Sequence, residues 1–258
     1  MQMLKMYLIV CPLVFLAGVV DAIGGGGGLI SLPAYMLAGL DPKIAAATNK
    51  MSACLGTFAS TFRYVKNKCA DLPLAIPSVI AALIGANFGA QISKNVPDEV
   101  FRIVLLIILP LIALFMLLKK NKSETDTRPP LKRSVQMVIV TVISLVIGLY
   151  DGFYGPGTGT FLILAYTALA RMDALKAGGN TKLANLASNV SSLVVFLLQK
   201  RVIIVLGLVS AIFSVAGHYI GAGMAIKNGS RFVRVVILGV MALLLVKVAL
   251  EMFGITVG

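Results

Sequence analysis

The stretch DAIGGGGGLISLP, residues Asp21 to Pro33, sets five consecutive glycines inside an otherwise apolar run. Glycine in a helix interior is less favourable than alanine by about 1 kcal/mol per residue. Gly24, Gly25, Gly26, Gly27 and Gly28 together therefore interrupt any helix that reaches them. The same chain is otherwise built for helices in lipid, so the interruption needs a reason.

The lipid reading rests on composition and run length. Hydrophobic residues make up 59% of the chain and charged residues 13%, against about 25% charged in ordinary soluble domains. Apolar runs recur at Met6–Val20, Ile44–Phe62, Leu72–Ile92, Val100–Leu118, Val135–Leu149, Ala184–Leu198, Val202–Ile226 and Phe232–Val248. Most approach or exceed the ~20 residues that cross a ~30 Å hydrocarbon core. The period-2 alternation of a membrane barrel is absent, so the runs are helical. The expectation is an all-α polytopic protein, multi-pass in the inner (cytoplasmic) membrane.

The formal net charge is +13, but the basic residues mark loops rather than a nucleic-acid surface. Arg63, Lys66 and Lys68 form one cluster between apolar runs. Lys119, Lys120, Lys122, Arg128, Lys132 and Arg133 form another. Both loops are placed on the cytoplasmic side by the excess of positive charge there. Cys11, Cys54 and Cys69 show no metal-ligand spacing and read as buried thiols. Lys5 before the first apolar run imitates a signal peptide, yet an equivalent segment follows Lys132 and Arg133, where no such peptide acts. The first run is read as a retained membrane helix.

Internal repetition organises the rest. Asp41, Lys50, Gly85, Gly89, Ala90 and Arg102 recur 132 positions later as Asp173, Lys182, Gly217, Gly221, Ala222 and Arg234. The glycine run recurs as GPGTG, Gly155 to Gly159. Residues 1–118 and 134–258 are expected to be two homologous transmembrane repeats, joined by a basic linker at 119–133. Each half reads as a short apolar piece, a glycine-rich break, another short piece and three full-length helices; in the first half the pieces are Tyr7–Val20, fourteen residues, and Leu29–Leu40, twelve. The broken pieces form either one interrupted crossing, which keeps the halves parallel, or a re-entrant hairpin, which inverts them. Inversion is the preferred expectation, because broken helices in inverted repeats build a shared central site.

Irregular backbone at membrane depth survives only inside protein or beside a watery cavity. Glycines leave N–H groups unshielded, and each break runs into a helix N-terminus, a natural anion site. Gly24 to Gly28 in the first half, and Gly155, Gly157, Thr158 and Gly159 in the second, are thus candidate anion-binding residues, with Thr160 as a further hydroxyl. The competing reading is a close helix crossing that needs small residues. Lys50 lies roughly 9–10 Å into its helix at ~1.5 Å per residue, and Lys182 takes the matching place; a charge at that depth is a functional candidate. Beside them sit Thr48 and Asn49, then Asn180 and Thr181. Asp21 and Asp151 stand at the entrances to the breaks and are candidates for coupling an ion, or for capping and lysine pairing. The two GxxxG pairs read as helix packing, and His218, whose counterpart is Ala86, as a packed histidine. Asn87, Asn185, Ser188 and Asn189 are polar positions that line a path or bond between helices.

With these motifs in order, GGGGGLISLP then ATNK (Ala47 to Lys50), and GFYGPGTGTF (Gly152 to Phe161) then NTK (Asn180 to Lys182), the chain resembles the TauE/SafE family of membrane transporters over nearly its whole length. The resemblance implies transport of small, often sulfur-containing anions such as sulfite, sulfonates and sulfoacetate. The halves differ at Gly178-Gly179-Asn180 against Ala46-Ala47-Thr48, so the resemblance does not imply equal half-sites.

The reading is then a secondary transporter of a small sulfur oxyanion or organosulfonate, proton-coupled, with no cofactor, metal, nucleic acid or catalytic residue. Its partners are the anion and membrane lipid, with a homo-oligomer left open. No GxxxxGK[ST] motif is present to use ATP. An anion channel is the alternative. A membrane enzyme is disfavoured because one histidine and scattered cysteines supply neither a nucleophile with its base nor a metal cluster.

Overall fold

The computed structural model describes residues 2–97 and 131–252. The expected helix Val100–Leu118 and linker residues 119–130 lie outside them. Among the described residues the regular elements are all helical. They are α1 (Gln2–Gly24), α2 (Gly28–Leu37), α3 (Pro42–Lys66), α4 (Leu72–Asn95), α5 (Arg133–Phe153), α6 (Thr158–Ala168), α7 (Ala174–Leu198) and α8 (Ile204–Met252). Gly229, at φ 72° and ψ −168°, breaks α8 into two helical stretches.

Helix starts follow local chemistry. Pro42 at the first turn of α3 lacks an N–H that would be unpaired there anyway. The Asp173 carboxylate accepts from the Leu175 and Lys176 amides at 2.9 and 3.4 Å, capping α7. Asp71 does the same for α4 through Leu74 N–H at 3.4 Å.

Five described helices are long and apolar enough to cross a membrane: Leu4–Gly24, Leu72–Asn95, Arg133–Phe153, Ala174–Leu198 and Ile204–Val233. Their outer faces are apolar. On α4, Leu72, Ile76, Ile80, Ile84 and Phe88 are exposed at a spacing of four residues, one stripe of a helix. The interior mixes apolar residues such as Leu74, Leu162 and Tyr166 with many polar ones. Thr48, Lys50, Ser52, Thr57, Ser60 and Thr61 of α3 are buried, as are Asn180, Thr181, Lys182, Asn185, Ser188 and Asn189 of α7. A chain that buries its polar groups and exposes its large apolar ones is folded for hydrocarbon, and it is a multi-pass membrane protein.

The structure corrects the expected length of the first arm. Counting uninterrupted apolar residues gave fourteen for Tyr7–Val20; α1 has 23 residues, because Lys5 and Asp21 both lie within the helix. Among the described helices only α2, with 10 residues, and α6, with 11, are short. Each short helix folds back along its predecessor. A Cβ built on Gly27 would lie 2.5 Å from the Ala17 carbonyl oxygen, and Leu32 and Tyr35 cluster with Val10 and Val14. Likewise Tyr166 of α6 bonds Ser144 of α5 at 2.6 Å, and the Gln136 amide donates to the Ala170 carbonyl. Both broken pieces are therefore hairpins, not interrupted crossings.

Contacts at the helix ends give the directions. On one face, Lys43 donates to the Val96 carbonyl and Ile203 N–H to Thr48 Oγ1. This brings together the start of α3, the end of α4 and the α7–α8 turn. On the opposite face, Asp71 N–H donates to Asn180 Oδ1 and the Arg133 guanidinium to Asp71. That gathers the end of α3 with the starts of α4, α5 and α7. Hence α3 and α7 run in opposite directions. The α1–α2 hairpin opens to the first face, where Leu40 meets Leu206 in one cluster, and the α5–α6 hairpin opens to the second.

Close crossings lock the hairpins to helices of the other half. Gly85 and Gly89 of α4 lie against the backbone of Leu145 and Leu149 on α5. Gly217 and Gly221 of α8 lie against Phe15 and Val19 on α1. Small residues permit this approach, and van der Waals packing of the two backbones supplies the attraction.

Candidate functional site

The two glycine breaks meet. Gly25 (φ +80°), Gly155 (φ +101°) and Gly157 (φ +82°) hold left-handed conformations that other residues resist. A Cβ on Gly159 would fall 2.5 Å from Gly25 Cα. Thr160 N–H donates to the Gly25 carbonyl at 3.2 Å and its hydroxyl to the Gly24 carbonyl at 2.7 Å. Glycine is thus required here for contact as well as for turning.

Beside this contact lies a cavity of about 40 Å³ lined from both halves. A water needs roughly 10–15 Å³ by the same measure, so the space suits a solute of a few heavy atoms. Of the sequence-predicted residues it is lined by Gly25, Gly27, Gly28, Asn49, Lys50, Gly155, Gly157, Thr158 and Gly159, and by both aspartates, Asp21 and Asp151. The first turns of α2 and α6 abut it; there Leu29, Ile30, Thr158 and Thr160 N–H groups bond the Gly26, Gly27, Gly155 and Gly25 carbonyls, so Gly28 and Gly159, both in the lining, are the first-turn amides left to face a solute.

Gly24, Gly26, Thr48, Thr160, Asn180, Thr181 and Lys182, also expected at the site, stand outside the lining. Thr48 Oγ1 accepts from Ile203 N–H at 3.1 Å. The Asn180 side chain accepts from Asp71 N–H at 2.7 Å and donates to the Asp71 carbonyl at 3.1 Å. These two fasten the turns at opposite faces. Thr181 and Lys182 are fully buried outside the lining.

Charge is arranged crosswise. Lys50 Nζ lies 2.7 Å from Asp151 Oδ2, and Lys182 Nζ lies 2.7 Å from Asp21 Oδ2. Each lysine is matched by an aspartate of the other half, so neither is a free cation awaiting an anion. At the first pair, Lys50 also donates to Asn189 Oδ1 at 3.0 Å. Asp151 accepts from the hydroxyls of Thr158 at 2.7 Å and Ser188 at 2.6 Å. At the second, Asp21 accepts from Gly27 N–H at 3.1 Å, and Lys182 also donates to the Asp21 carbonyl. The Thr158 and Thr160 hydroxyls, expected to be offered to a ligand, are both engaged within the protein.

Sequence reasoning underrated His218. It lines the cavity, 4% exposed, with Nε2 3.2 Å from Asp21 Oδ2 and Nδ1 2.9 Å from the Ser214 carbonyl. Register held a clue: positions 86 and 218 sit equivalently between the GxxxG glycines, and Ala86 packs on Gly152, next to Asp151. Thr57 and Ser214 were missed. Asn185 and Asn189 line the cavity, whereas Asn87 bonds Gln91 outside it.

Comparison with known proteins agrees with this architecture. Residues 10–248 match the family described as Sulfite exporter TauE/SafE. The chain is 31% identical over 239 residues to the probable membrane transporter protein YfcA of Escherichia coli K12, covering 93% of this chain and 88% of that protein. It is 32% identical over 220 residues to the probable membrane transporter protein ORF9 of a Sinorhizobium species, covering 85% and 83%. A probable membrane transporter protein of Haemophilus influenzae is 28% identical over 85% of each chain. No solved structure matches. With an all-helical, inside-out fold and a family match over nearly its full length, the chain belongs to the TauE/SafE family of membrane transporters.

Proposed function

We propose that the protein is a secondary transporter that carries a small anion, a sulfur oxyanion or organosulfonate, across the inner (cytoplasmic) membrane together with a proton. The observation that carries the reading is the meeting of two glycine-broken hairpins, entering from opposite faces, over one cavity lined by both halves. Residues 1–118 and 134–258 then act as inverted repeats about a shared site, the arrangement from which alternating access follows. The Gly28 and Gly159 N–H groups, at the starts of α2 and α6, receive the anion's oxygens, Asn49 adds a polar side chain, and the crossed ion pairs hold the two hairpins in register.

The test is a thermal-stability screen of the purified protein against sulfite, sulfoacetate, thiosulfate, sulfate and simple carboxylates, followed by flux in proteoliposomes. The reading expects sulfur oxyanions to raise the melting temperature and to be carried saturably. Absence of stabilisation by every anion would overturn it, and unitary currents in planar bilayers would replace the transporter with a channel.

A further inference from the structure

The two crossed ion pairs differ in one respect that sets the charge of the cavity. At Asp151 the third partner is a neutral hydroxyl, Ser188 Oγ, 2.6 Å from Oδ2. At Asp21 the third partner is an imidazole, His218 Nε2, 3.2 Å from Oδ2. The exchange is complementary in the sequence. Position 188 corresponds to Gly56 in the first half, and position 218 to Ala86. A Cβ on Gly18 would lie 2.8 Å from His218 Nδ1, and one on Gly56 would overlap the ring, so glycines on α1 and α3 make room for it.

Both ring nitrogens face acceptors. Nδ1 lies 2.9 Å from the Ser214 carbonyl, an acceptor, and 3.3 Å from the Ser214 hydroxyl, which takes either role; the shorter contact calls for a proton on Nδ1. Nε2 lies 3.2 Å from a carboxylate oxygen, which has no hydrogen to give. A neutral Nδ1–H ring would set its Nε2 lone pair against Asp21, and a neutral Nε2–H ring would set its Nδ1 lone pair against the Ser214 carbonyl, so one further proton between His218 and Asp21 satisfies both contacts. Lys50 with Asp151 sums to zero, as does Lys182 with Asp21; the added proton leaves the cavity one positive charge in excess. We propose that this proton resides on His218, and that the imidazolium is the exchangeable charge that neutralises the bound anion. The proposal rests on the anion-transport reading and gives its proton a seat: proton and monovalent anion enter one cavity as a neutral pair.

The surrounding charged and titratable groups are Asp21 on α1, Lys182 on α7, Lys50, Arg63 and Tyr64 on α3, and Asp151 on α5. Arg63 donates to the Tyr219 carbonyl at 2.6 Å and stacks over the Tyr219 ring, and the Tyr64 hydroxyl donates to the Ala22 carbonyl at 3.0 Å. Lys50 and Asp151 are committed to one another. The lone pair of Nε2 is therefore the open proton site among them.

His218 is the chain's one histidine, so protein labelled with isotopic histidine in lipid nanodiscs reports this ring alone. The expected spectrum at pH 6 is an imidazolium with both nitrogens protonated, reverting to the Nδ1–H neutral form in Asp21→Asn. A neutral ring in the wild type throughout pH 5 to 8 would overturn the proposal. The second arm uses methanesulfonate, which stays ionised across that range. Its affinity is expected to weaken by up to about tenfold per pH unit as pH rises toward 8, the slope for one linked proton. His218→Gln flattens that slope. So does His218→Ala with Gly56→Ser and Ser214→Ala, which copies the Ser188–Ala86–Ala82 arrangement, clears the Ser214 hydroxyl from the new Cβ and guards against a folding defect in the single variant. Affinity independent of pH in the wild type would refute the pairing of proton and anion. If methanesulfonate binds at no pH while the imidazolium is present, the anion reading falls and the seat of the proton stands.

Discussion

Lys182 and Asp21 form a buried ion pair, Nζ to Oδ2 at 2.7 Å, between the helix that follows the second glycine break and the helix that precedes the first. The Lys182 side chain has no exposure at all. The pair therefore fastens the two halves across the membrane interior, where removing one partner strands the other without solvent. Lys182→Met is expected to destabilise the protein by about 3–5 kcal/mol, whereas Lys182→Met with Asp21→Asn recovers more than half of that loss. Thermal denaturation in detergent of the single and double variants checks this. A double variant as unstable as the single one would show that the charge pairing is not what the lysine contributes.

Two glycines separate conformational strain from contact. Gly25 and Gly39 both have positive φ, at +80° and +92°. A Cβ on Gly25 runs into the Gly159 backbone, whereas one on Gly39 meets nothing within 4 Å. Gly39→Ala is expected to cost about 1 kcal/mol, the left-handed penalty alone. Gly25→Ala adds the displacement of one hairpin from the other, for a total of roughly 3 kcal/mol or more, with loss of transport. Equal melting temperatures for the two variants would contradict the close approach of the breaks.

The GxxxG crossings predict matched effects at distant places. Gly85→Val pushes α4 from Leu145 of α5, and Gly217→Val pushes α8 from Phe15 of α1. Each is expected to lower stability by a few kcal/mol, on the order of other overpacking changes. Because the sites share no neighbours, the combined variant should show additive losses. Melting curves of both singles and the double test this, and a neutral effect at either glycine would remove its helix crossing from the account.

One pH effect arises at the membrane surface. The Arg133 hydrogen bond to Asp71 is the main influence holding that carboxyl below its ordinary value. With a lowered folded-state pKa, the pair's stabilisation is fully present above about pH 4, near the unfolded value, and is lost as pH falls through the folded one. Arg133 is 46% exposed, so solvent screening limits the effect to at most about 1 kcal/mol. Asp71→Asn should lower the melting temperature slightly at pH 6 and not at pH 2.5. An undiminished difference at low pH would contradict the sign.

Much of this was legible in the chain because the signals are local. Five adjacent glycines interrupt a helix wherever they fall, and α2 begins at Gly28 as the run predicts. A lysine nine residues into an apolar helix must find a partner inside the protein. The partner itself was not legible. Asp21 and Lys182 are 161 positions apart, and their pairing depends on two hairpins passing each other from opposite faces. Thr48 and Asn180 looked like site residues because they adjoin the lysines in sequence. Each lies two positions before its lysine, about 200° around the helix, so it points away from the cavity and, still buried, holds the turn at Ile203 or Asp71.

By itself the amino-acid order determined the membrane class, the places where helices stop, and which polar groups must be satisfied inside. These follow from hydrophobic run length and backbone sterics, which act over a few residues. Only the tertiary structure decided that the broken segments are hairpins, that each lysine's charge is cancelled by the other half, and that a lone histidine stands against Asp21. Those depend on which groups meet across the bundle, and in a low-dielectric interior the distance between charges governs their energy.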